Sequence, residues 1–567
     1  MLHFALAPRS VAVIGASDHP HKVGGRPLLY LQRYGYRGAI YPVNPGRTAV
    51  QGLRAFARVE DLPEAPELAV VAVAGEEAVR AVEACAARGV KAVVVMASGF
   101  GETGPEGLRA QQSLVETARQ AGMRLIGPNC QGLANFATGM VANFSTIFHE
   151  LEAREGPVAI VSQSGANAQA IYTLVMEQGV GVRHVHATGN EADVTVAELA
   201  EAVLEDAGVG LLLLYLEAIK DPARLAAAAA RARARGVPIV ALKAGRTARG
   251  QRAARSHTGA LAAEDRVVDA FFERHGIWRA ADPPSLVLAS ALYLGKQLPR
   301  GRRLVFLSNS GASCVMAADH AEQRRLELAA LSEEAKGKLR GVLPAFAAAD
   351  NPIDLTGALL GNPRLLGDAL PVIGNDERSE LLLLALPVAG AGYDLPQFAR
   401  DLLVFADRHA QAVAVAAPQE SVRRVFRDAG IATFAREHEA MDALVQVAEH
   451  RARMAGAAPP LPRPVSPPAR THLLSEAESL ARLRDAGLAV VEHRLCRTAH
   501  EVLAAVEALQ GPVVLKACSP DLPHKSDHGL VALEIADAAA QFAWMRHKTR
   551  ALGARFDGVI VARRAPR

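Results

Sequence analysis

The sequence predicts an α/β protein of several domains, and three observations carry that prediction. Short apolar, β-rich runs alternate with alanine-rich helical stretches. Strand, helix and strand follow one another at the spacing of parallel sheets wrapped by helices. At 567 residues the chain is also too long for one hydrophobic core, so roughly three to five domains are expected.

In chain order, residues 10–15, 68–72 and 92–97 read as short buried strands, and 39–43 as another. Helical patterns cover Glu76–Arg88 and residues 106–121. A second block opens at Pro157-Val158-Ala159-Ile160-Val161 and continues through strands at 210–215 and 238–242. A third opens at 303–307, with a further strand at 380–386. Each block has the pattern of a doubly wound unit. Residues 457–470 are rich in proline and alanine, resist both helix and sheet, and read as a linker. Beyond them lies a last segment of about a hundred residues, near the small end of the domain range. It has a strand at 513–517, a helix at 538–552 that Asp537 is placed to cap, and a strand at 558–562.

Composition excludes several classes. Hydrophobic residues at 50% and charged residues at 22% rule out wholesale disorder. The net charge of +4 is small. Basic residues are spread through helical segments such as 224–235 rather than gathered with aromatics, so no nucleic-acid partner is expected. Cys85, Cys130, Cys314, Cys496 and Cys518 form no CxxC pair, which argues against a zinc site or redox motif. Cys130 reads as a site-lining residue or, equally, as a small buried filler. No secretory signal opens the chain and no apolar run spans a bilayer, so a cytoplasmic location without membrane attachment is expected.

Several segments carry candidate chemistry. In Val13-Ile14-Gly15-Ala16-Ser17, followed by Lys22-Val23-Gly24-Gly25, a strand ends at a glycine just before a helix. Backbone N–H groups there can face a phosphate and Lys22 adds charge. The full G-x-G-x-x-G pattern is missing, and the strand at 39–43 leads to Asn44-Pro45 rather than to an acidic residue. A phosphate-bearing cofactor other than a nicotinamide fits better, with a plain tight turn as the competing reading. In Ser162-Gln163-Ser164-Gly165-Ala166, small and hydroxyl residues join a strand to a helix and suit a phosphate cradle better than a serine-hydrolase elbow, whose first glycine is absent. The loop Gly127-Pro128-Asn129-Cys130 can supply a second wall. Glu217 ends an apolar strand, where carboxylates tend to face the ligand crevice, although a helix-capping glutamate reads alike. Arg255-Ser256-His257-Thr258-Gly259-Ala260-Leu261 sets an imidazole between two hydroxyls, and that ring is a competent phosphoryl acceptor. Near the C-terminus, Lys516 leaves an apolar strand toward possible nucleotide phosphates. His524 sits in a polar loop, where a solvated histidine is the better reading of the residues alone.

Together and in this order, the segments resemble the nucleoside-diphosphate-forming acyl-CoA synthetases, relatives of succinyl-CoA synthetase. The resemblance runs from about Ser10 to the C-terminus. Its markers are Ser256-His257-Thr258-Gly259-Ala260, Gly127-Pro128-Asn129-Cys130, Ser162-Gln163-Ser164-Gly165 and His524-Lys525-Ser526-Asp527. It implies a CoA-binding Rossmann-like domain over residues 1–126 and a succinyl-CoA-synthetase-like domain with the phosphohistidine loop over 127–290. A second flavodoxin-type domain over 291–456, the linker, and an ATP-grasp lobe over 471–567 would follow. It further implies CoA contacts from Gly15, Ser17, Lys22 and Asn44, with Val73, Ser98 and Glu102 on strand ends flanking the cofactor. His257 matches the phosphorylated histidine and Glu217 the carboxylate that orients it. Asn129, Gln163, Ser164 and Gly165 match the phosphate site, and His524 a second phosphoryl carrier. The implied substrates are acyl-CoA, phosphate and ADP or ATP with Mg2+. Acetyl and short branched or aromatic acyl groups are the family range.

The chain departs from that pattern at its end. After the strand at 558–562 it stops at Arg567, leaving no room for a second ATP-grasp lobe with acidic magnesium ligands. The segment therefore reads as a partial ATP-grasp module. Either the other lobe is on another polypeptide, or the chain is truncated, or nucleotide turnover is lost. The alternative to a ligase is a CoA- or acyl-CoA-binding regulatory protein, and a homo-oligomer is a further expectation.

Overall fold

Leu68–Val71 and Ala92–Val95, with sequences LAVV and AVVV, are buried at every position. Continuous apolar strands of this kind belong inside a parallel sheet covered by helices on both faces. They lie third and fourth in a five-stranded sheet ordered Ala39–Val43, Ser10–Ile14, Leu68–Val71, Ala92–Val95, Arg124–Ile126. All of its pairings are parallel. From Ser10–Ile14 the chain first winds to one side and then to the other, so a crevice opens at the carboxyl ends of Ser10–Ile14 and Leu68–Val71.

The computed structural model describes residues 2–247, 249–250, 264–299, 301–324, 326–456 and 473–564. His257 and its flanking segment lie outside the described residues, as does the expected linker at 457–470. The chain divides into two compact units, Met1–Pro459 and Pro460–Arg567.

A second sheet of seven strands follows in the order Ile277–Ala280, Ile239–Lys243, Leu211–Leu216, Val158–Ser162, Val182–Ala187, Gly132–Asn135, Met140–Asn143. The first five run parallel, and the last two form an antiparallel hairpin on Val182–Ala187. Its winding reverses at Val158–Ser162, which pairs with Leu211–Leu216 in a register matching Ser162 to Tyr215. Gln163-Ser164-Gly165 and Glu217 therefore leave the sheet at one rim. A third sheet, ordered Ile353–Asp354, Leu304–Ser308, Leu381–Ala385, Ala412–Ala416, Ala432–Phe434, repeats the all-parallel winding of the first.

One apolar core runs from Val11, Val70 and Val94 of the first sheet to Leu133, Ala159 and Leu212 of the second. Another joins Ile160 and Leu213 of the second to Phe306 and Leu383 of the third. Polar ties reinforce the first junction: the Tyr30 hydroxyl donates to Ser145 O at 2.6 Å and that of Tyr34 to Phe148 O at 2.7 Å.

The unit Pro460–Arg567 is α+β. Its antiparallel sheet is ordered His493–Cys496, Gly558–Arg563, Val513–Cys518, Val531–Ala532. The helices Ala499–Leu509 and Ala538–Ala551 contribute Val502, Phe542 and Met545 to its core. Asp537 caps the second helix, its carboxylate accepting from Ala540 N at 2.9 Å. Among the described residues no helix is long and apolar enough to cross a membrane.

Candidate functional site

Two cavities open at the carboxyl-end rims of the first two sheets. The first, of about 550 Å³, is lined by Ser17, Asp18, His19, Lys22, Asn44 and Arg47 among others. Gly15 makes it possible. Its φ is +82°, and a Cβ there would stand 2.6 Å from Val73 Cγ1, so only glycine lets the turn close over the neighbouring strand end. Asn44 braces the same turn: its amide donates to Ala16 O at 2.8 Å while its Oδ1 accepts from Gly46 N at 2.8 Å. Ser17, Lys22 and Asn44 line this cavity around the Gly15 turn, and Val73 packs against Gly15. Asp18 and Arg47, paired at 3.2 Å, join them without having been anticipated. Lys22 and Arg47 are the lysine and arginine of this lining, the second offset by Asp18. Ser98 is exposed and lines neither cavity.

Glu102, expected beside the cofactor, lines the second cavity instead. Its carboxylate accepts from Gly99 N at 2.6 Å, from Phe100 N at 3.2 Å, and from the Asn190 amide. Burial pushes this carboxyl upward, but those donors outweigh it and hold it below the usual carboxylate range.

The second cavity, about 590 Å³, brings together Asn129, Ser164, Gly165 and Glu217. Ser164 is the N-cap of the helix Gly165–Glu177, its hydroxyl accepting from Asn167 N at 3.3 Å. That helix therefore aims its N-terminal amides and dipole at the cavity. A Cβ at Gly165 would lie 2.5 Å from Gln131 Cγ, so only glycine lets the helix start this close to the wall. Asn129, at φ +57°, donates to Asn190 Oδ1 at 3.3 Å.

Gln163 plays a different part from the one expected. Its Oε1 accepts from Glu217 N and, at 2.9 Å, from Ala218 N. Its Nε2 donates to Glu191 Oε2 at 2.7 Å and to Ala218 O at 2.8 Å. With both donors and the acceptor engaged, the amide has nothing left for a phosphate. It is a strut fixing the backbone that carries Glu217. Three residues missed by sequence reasoning complete the wall. Glu191 is 5% exposed, its carboxyl pushed up by burial. Asn190 donates to Glu102 and, at 3.0 Å, to Gln111. Lys220 donates to Asn190 O at 2.7 Å and Glu191 O at 3.2 Å. Cys130 also borders the cavity, but its thiol is buried, donates to Ala187 O at 2.9 Å and is pushed up to about 12. It is structural rather than nucleophilic.

In the C-terminal unit, Lys516 donates to Glu476 Oε1 at 2.8 Å, and Lys525 donates to the other oxygen of the same carboxylate. Burial would raise the Glu476 carboxyl, but the two lysines hold it below its ordinary value. His524 is exposed, immediately before the short turn of helix Lys525–His528. Among the described residues no three His, Cys, Asp or Glu side chains converge as a metal-ligand set.

Doubly wound domains with an anion cradle, followed along the chain by an α+β unit, are the layout that comparison with known families finds in a class of CoA ligases. Family models described as a CoA binding domain, a succinyl-CoA ligase like flavodoxin domain and an ATP-grasp domain match residues 9–135, 155–293 and 467–567. The chain is 37% identical over 361 residues to the alpha subunit of an ADP-forming acetate–CoA ligase II of Pyrococcus furiosus, covering 64% of this chain and 77% of that one. It is 32% identical over 575 residues to an ADP-forming acetate–CoA ligase I of Archaeoglobus fulgidus, covering 98% and 81%. A trans-feruloyl-CoA synthase from an unknown prokaryotic organism is 32% identical, with 94% and 78% covered. Among solved structures, the dinucleotide-forming acetyl-coenzyme A synthetase 1 of Ca. Korarchaeum cryptofilum, in complex with phosphate and ADP, aligns with a TM-score of 0.72 at 28% identity, covering 80% of this chain and 98% of that one. The chain belongs to the NDP-forming acyl-CoA synthetases, the family of the ADP-forming acetate–CoA ligases. It is an acid–thiol ligase, and the regulatory alternative finds no support among these relatives.

Proposed function

We propose that this ligase interconverts acyl-CoA, phosphate and ADP with carboxylate, CoA and ATP, using the two cavities of the unit Met1–Pro459 for the acyl steps. The observation that carries the proposal is the meeting of Glu217, the N-terminus of the helix Gly165–Glu177 and the Asn129 loop in one cavity. CoA enters by the cavity at Gly15, Ser17, Lys22 and Asn44. A phosphate oxygen attacks the thioester carbonyl carbon; the C–O bond forms, the C–S bond breaks, and CoA leaves as the thiol. An imidazole nitrogen of His257 then attacks phosphorus, and the P–O bond to the acyl group breaks to release the carboxylate. The family role given to Glu217 is to hold the other ring nitrogen, which stabilises the imidazolium as charge develops. Amide dipoles at Ser164 and Gly165 stabilise the phosphoryl oxygens.

The phosphoryl group passes from nitrogen to the terminal oxygen of ADP, with His524 as an intermediate carrier. Lys516 would contact the nucleotide, and magnesium carried on the nucleotide would offset its charge. The unit Pro460–Arg567 does this work alone or with a further polypeptide.

Incubating the chain with acyl-CoA and labelled phosphate tests the proposal. Wild type should acquire acid-labile phosphate, His257→Ala should not, and Glu217→Gln should acquire it on the order of 100-fold more slowly. Label on His257→Ala would remove that residue from its role.

A further inference from the structure

We infer that Lys220 is an anion-binding residue of the second cavity, its ammonium receiving inorganic phosphate and then the phosphoryl end of the acyl phosphate. The inference deepens the function proposed above and rests on it.

Charge is the first reason. Glu102, Glu191 and Glu217 all border this cavity, and among the described residues lining it Lys220 is the one cationic side chain. Phosphate, acyl phosphate and carboxylate are all anions. The partial positive charge at one helix N-terminus faces three carboxyl groups, so an anion needs a further positive group within reach.

Geometry is the second. The ammonium gives two of its three N–H bonds to the carbonyls of Asn190 and Glu191, at 2.7 and 3.2 Å. The third remains for the cavity that the side chain borders. Among the described residues, Lys220 forms no ion pair with a carboxylate, because its acidic neighbours are engaged elsewhere. Glu102 is taken by the Gly99, Phe100 and Asn190 donors. Glu191 is taken by Gln163, the Thr188 hydroxyl and Val196 N.

Preorganisation is the third. The two carbonyls belong to a turn held by Gly189 at φ +58° and Glu191 at φ +51°, and the buried Glu191 carboxylate pins that turn from beneath. A cation fixed before the substrate arrives pays no reorganisation when charge shifts to the phosphoryl oxygens. Burial lowers the Lys220 pKa despite the attraction of Glu191, as expected for an ammonium that has exchanged water for two carbonyls.

The alternative is that Lys220 only clamps the 190–191 turn. Wild type, Lys220→Met and Lys220→Arg would be compared in the full chain. The assay is phosphate-dependent acyl phosphate formation, trapped as hydroxamate, using whichever of acetyl-, butyryl- and benzoyl-CoA wild type consumes fastest. CoA titration and thermal unfolding would be run alongside. The expected result is a fall in kcat/KM for phosphate of about 10- to 100-fold in Lys220→Met, as for losing a charge-assisted hydrogen bond. Lys220→Arg should recover part of it, with CoA affinity unchanged in both. Lys220→Met within threefold of wild type, or a loss that phosphate concentration cannot offset and that Lys220→Arg does not relieve, overturns the role of Lys220 alone. Wild type forming no phosphate-dependent acyl product overturns the underlying function and the inference with it.

Discussion

A single missing side chain sets the width of the second cavity. A Cβ on Gly189 would lie 2.3 Å from Pro128 O and 2.4 Å from Asn129 O, and its φ is +58°. The turn 188–191 and the loop 127–130 approach each other backbone to backbone at this point. Gly189→Ala should therefore cost roughly 2 kcal/mol or more, combining left-handed strain with a contact that neither backbone can yield. Thermal unfolding would register the loss, and phosphate-dependent acyl transfer should fall while CoA titration at the first cavity is unchanged. Nothing in Ala187-Thr188-Gly189-Asn190-Glu191 marked this in the sequence, because the constraint comes from a loop about sixty positions away. Ser164 and Gly165 were legible because the strand, turn and helix that make their cradle are adjacent in the chain. Asn190, Glu191 and Lys220 become wall residues only through that distant approach. A second residue-scale prediction concerns acid. Asp206 accepts from Arg183 Nε at 2.6 Å and Gly208 N at 2.8 Å and lies 3.1 Å from His184 Nε2. Hydrogen bonding from His184, followed by Arg183 and Gly208, keeps its carboxyl well below the ordinary aspartate value despite burial. A lowered pKa contributes stability that is full above the unfolded-state value of about 4 and lost as pH falls through the folded-state value. Asp206→Asn should thus be destabilised by roughly 1–3 kcal/mol at pH 7. Urea midpoints measured from pH 7 down to 3 should show a constant gap to wild type above about pH 4 that begins to narrow below it.

At the scale of elements, one device recurs. Ser162-Gln163-Ser164-Gly165-Ala166 and Ser308-Asn309-Ser310-Gly311-Ala312 each end a parallel strand and open a helix. In each, a fully buried serine closing the strand accepts from the backbone N–H two positions on, at 3.1 Å for Ser164 and 3.2 Å for Ser310. The hydroxyl turns the chain sharply and frees the next amides to face the crevice. Ser164→Ala should remove the N-cap and cost about 1 kcal/mol in a denaturant midpoint, with slower phosphate-dependent acyl transfer because the helix start loosens. Strands made only of apolar residues, such as Leu68–Val71, Ala92–Val95 and Leu211–Leu216, were readable because burial on both faces demands that composition. Val182–Ala187 and Ile277–Ala280 escaped because His184, His186 and Arg279 interrupt their apolar runs. The hairpin of Gly132–Asn135 and Met140–Asn143 escaped because Gly132, Asn135 and Asn143 leave each strand without a continuous apolar run.

At the scale of the molecule, the three large sheets of Met1–Pro459 form one folding unit because the second shares its cores with the other two. Val13 and Val161 belong to one cluster, and Val158 and Phe306 to another, so the first sheet cannot lose its packing without exposing the second. Pro460–Arg567 has an apolar core of its own around Leu515, Phe542 and Val561. The two units should therefore unfold in separate steps, since cooperative melting follows shared cores rather than chain continuity. A protease site placed between residues 456 and 473 tests this directly. After cleavage, the fragment ending at 456 should bind CoA with wild-type affinity and form acyl phosphate from acyl-CoA and phosphate. Exchange of phosphate into ATP should require the second fragment to be added back. In calorimetry the larger transition should keep its midpoint, to within the few degrees that about 1 kcal/mol moves a domain of this size. A first fragment that precipitates or no longer binds CoA would mean that its stability draws on the second unit.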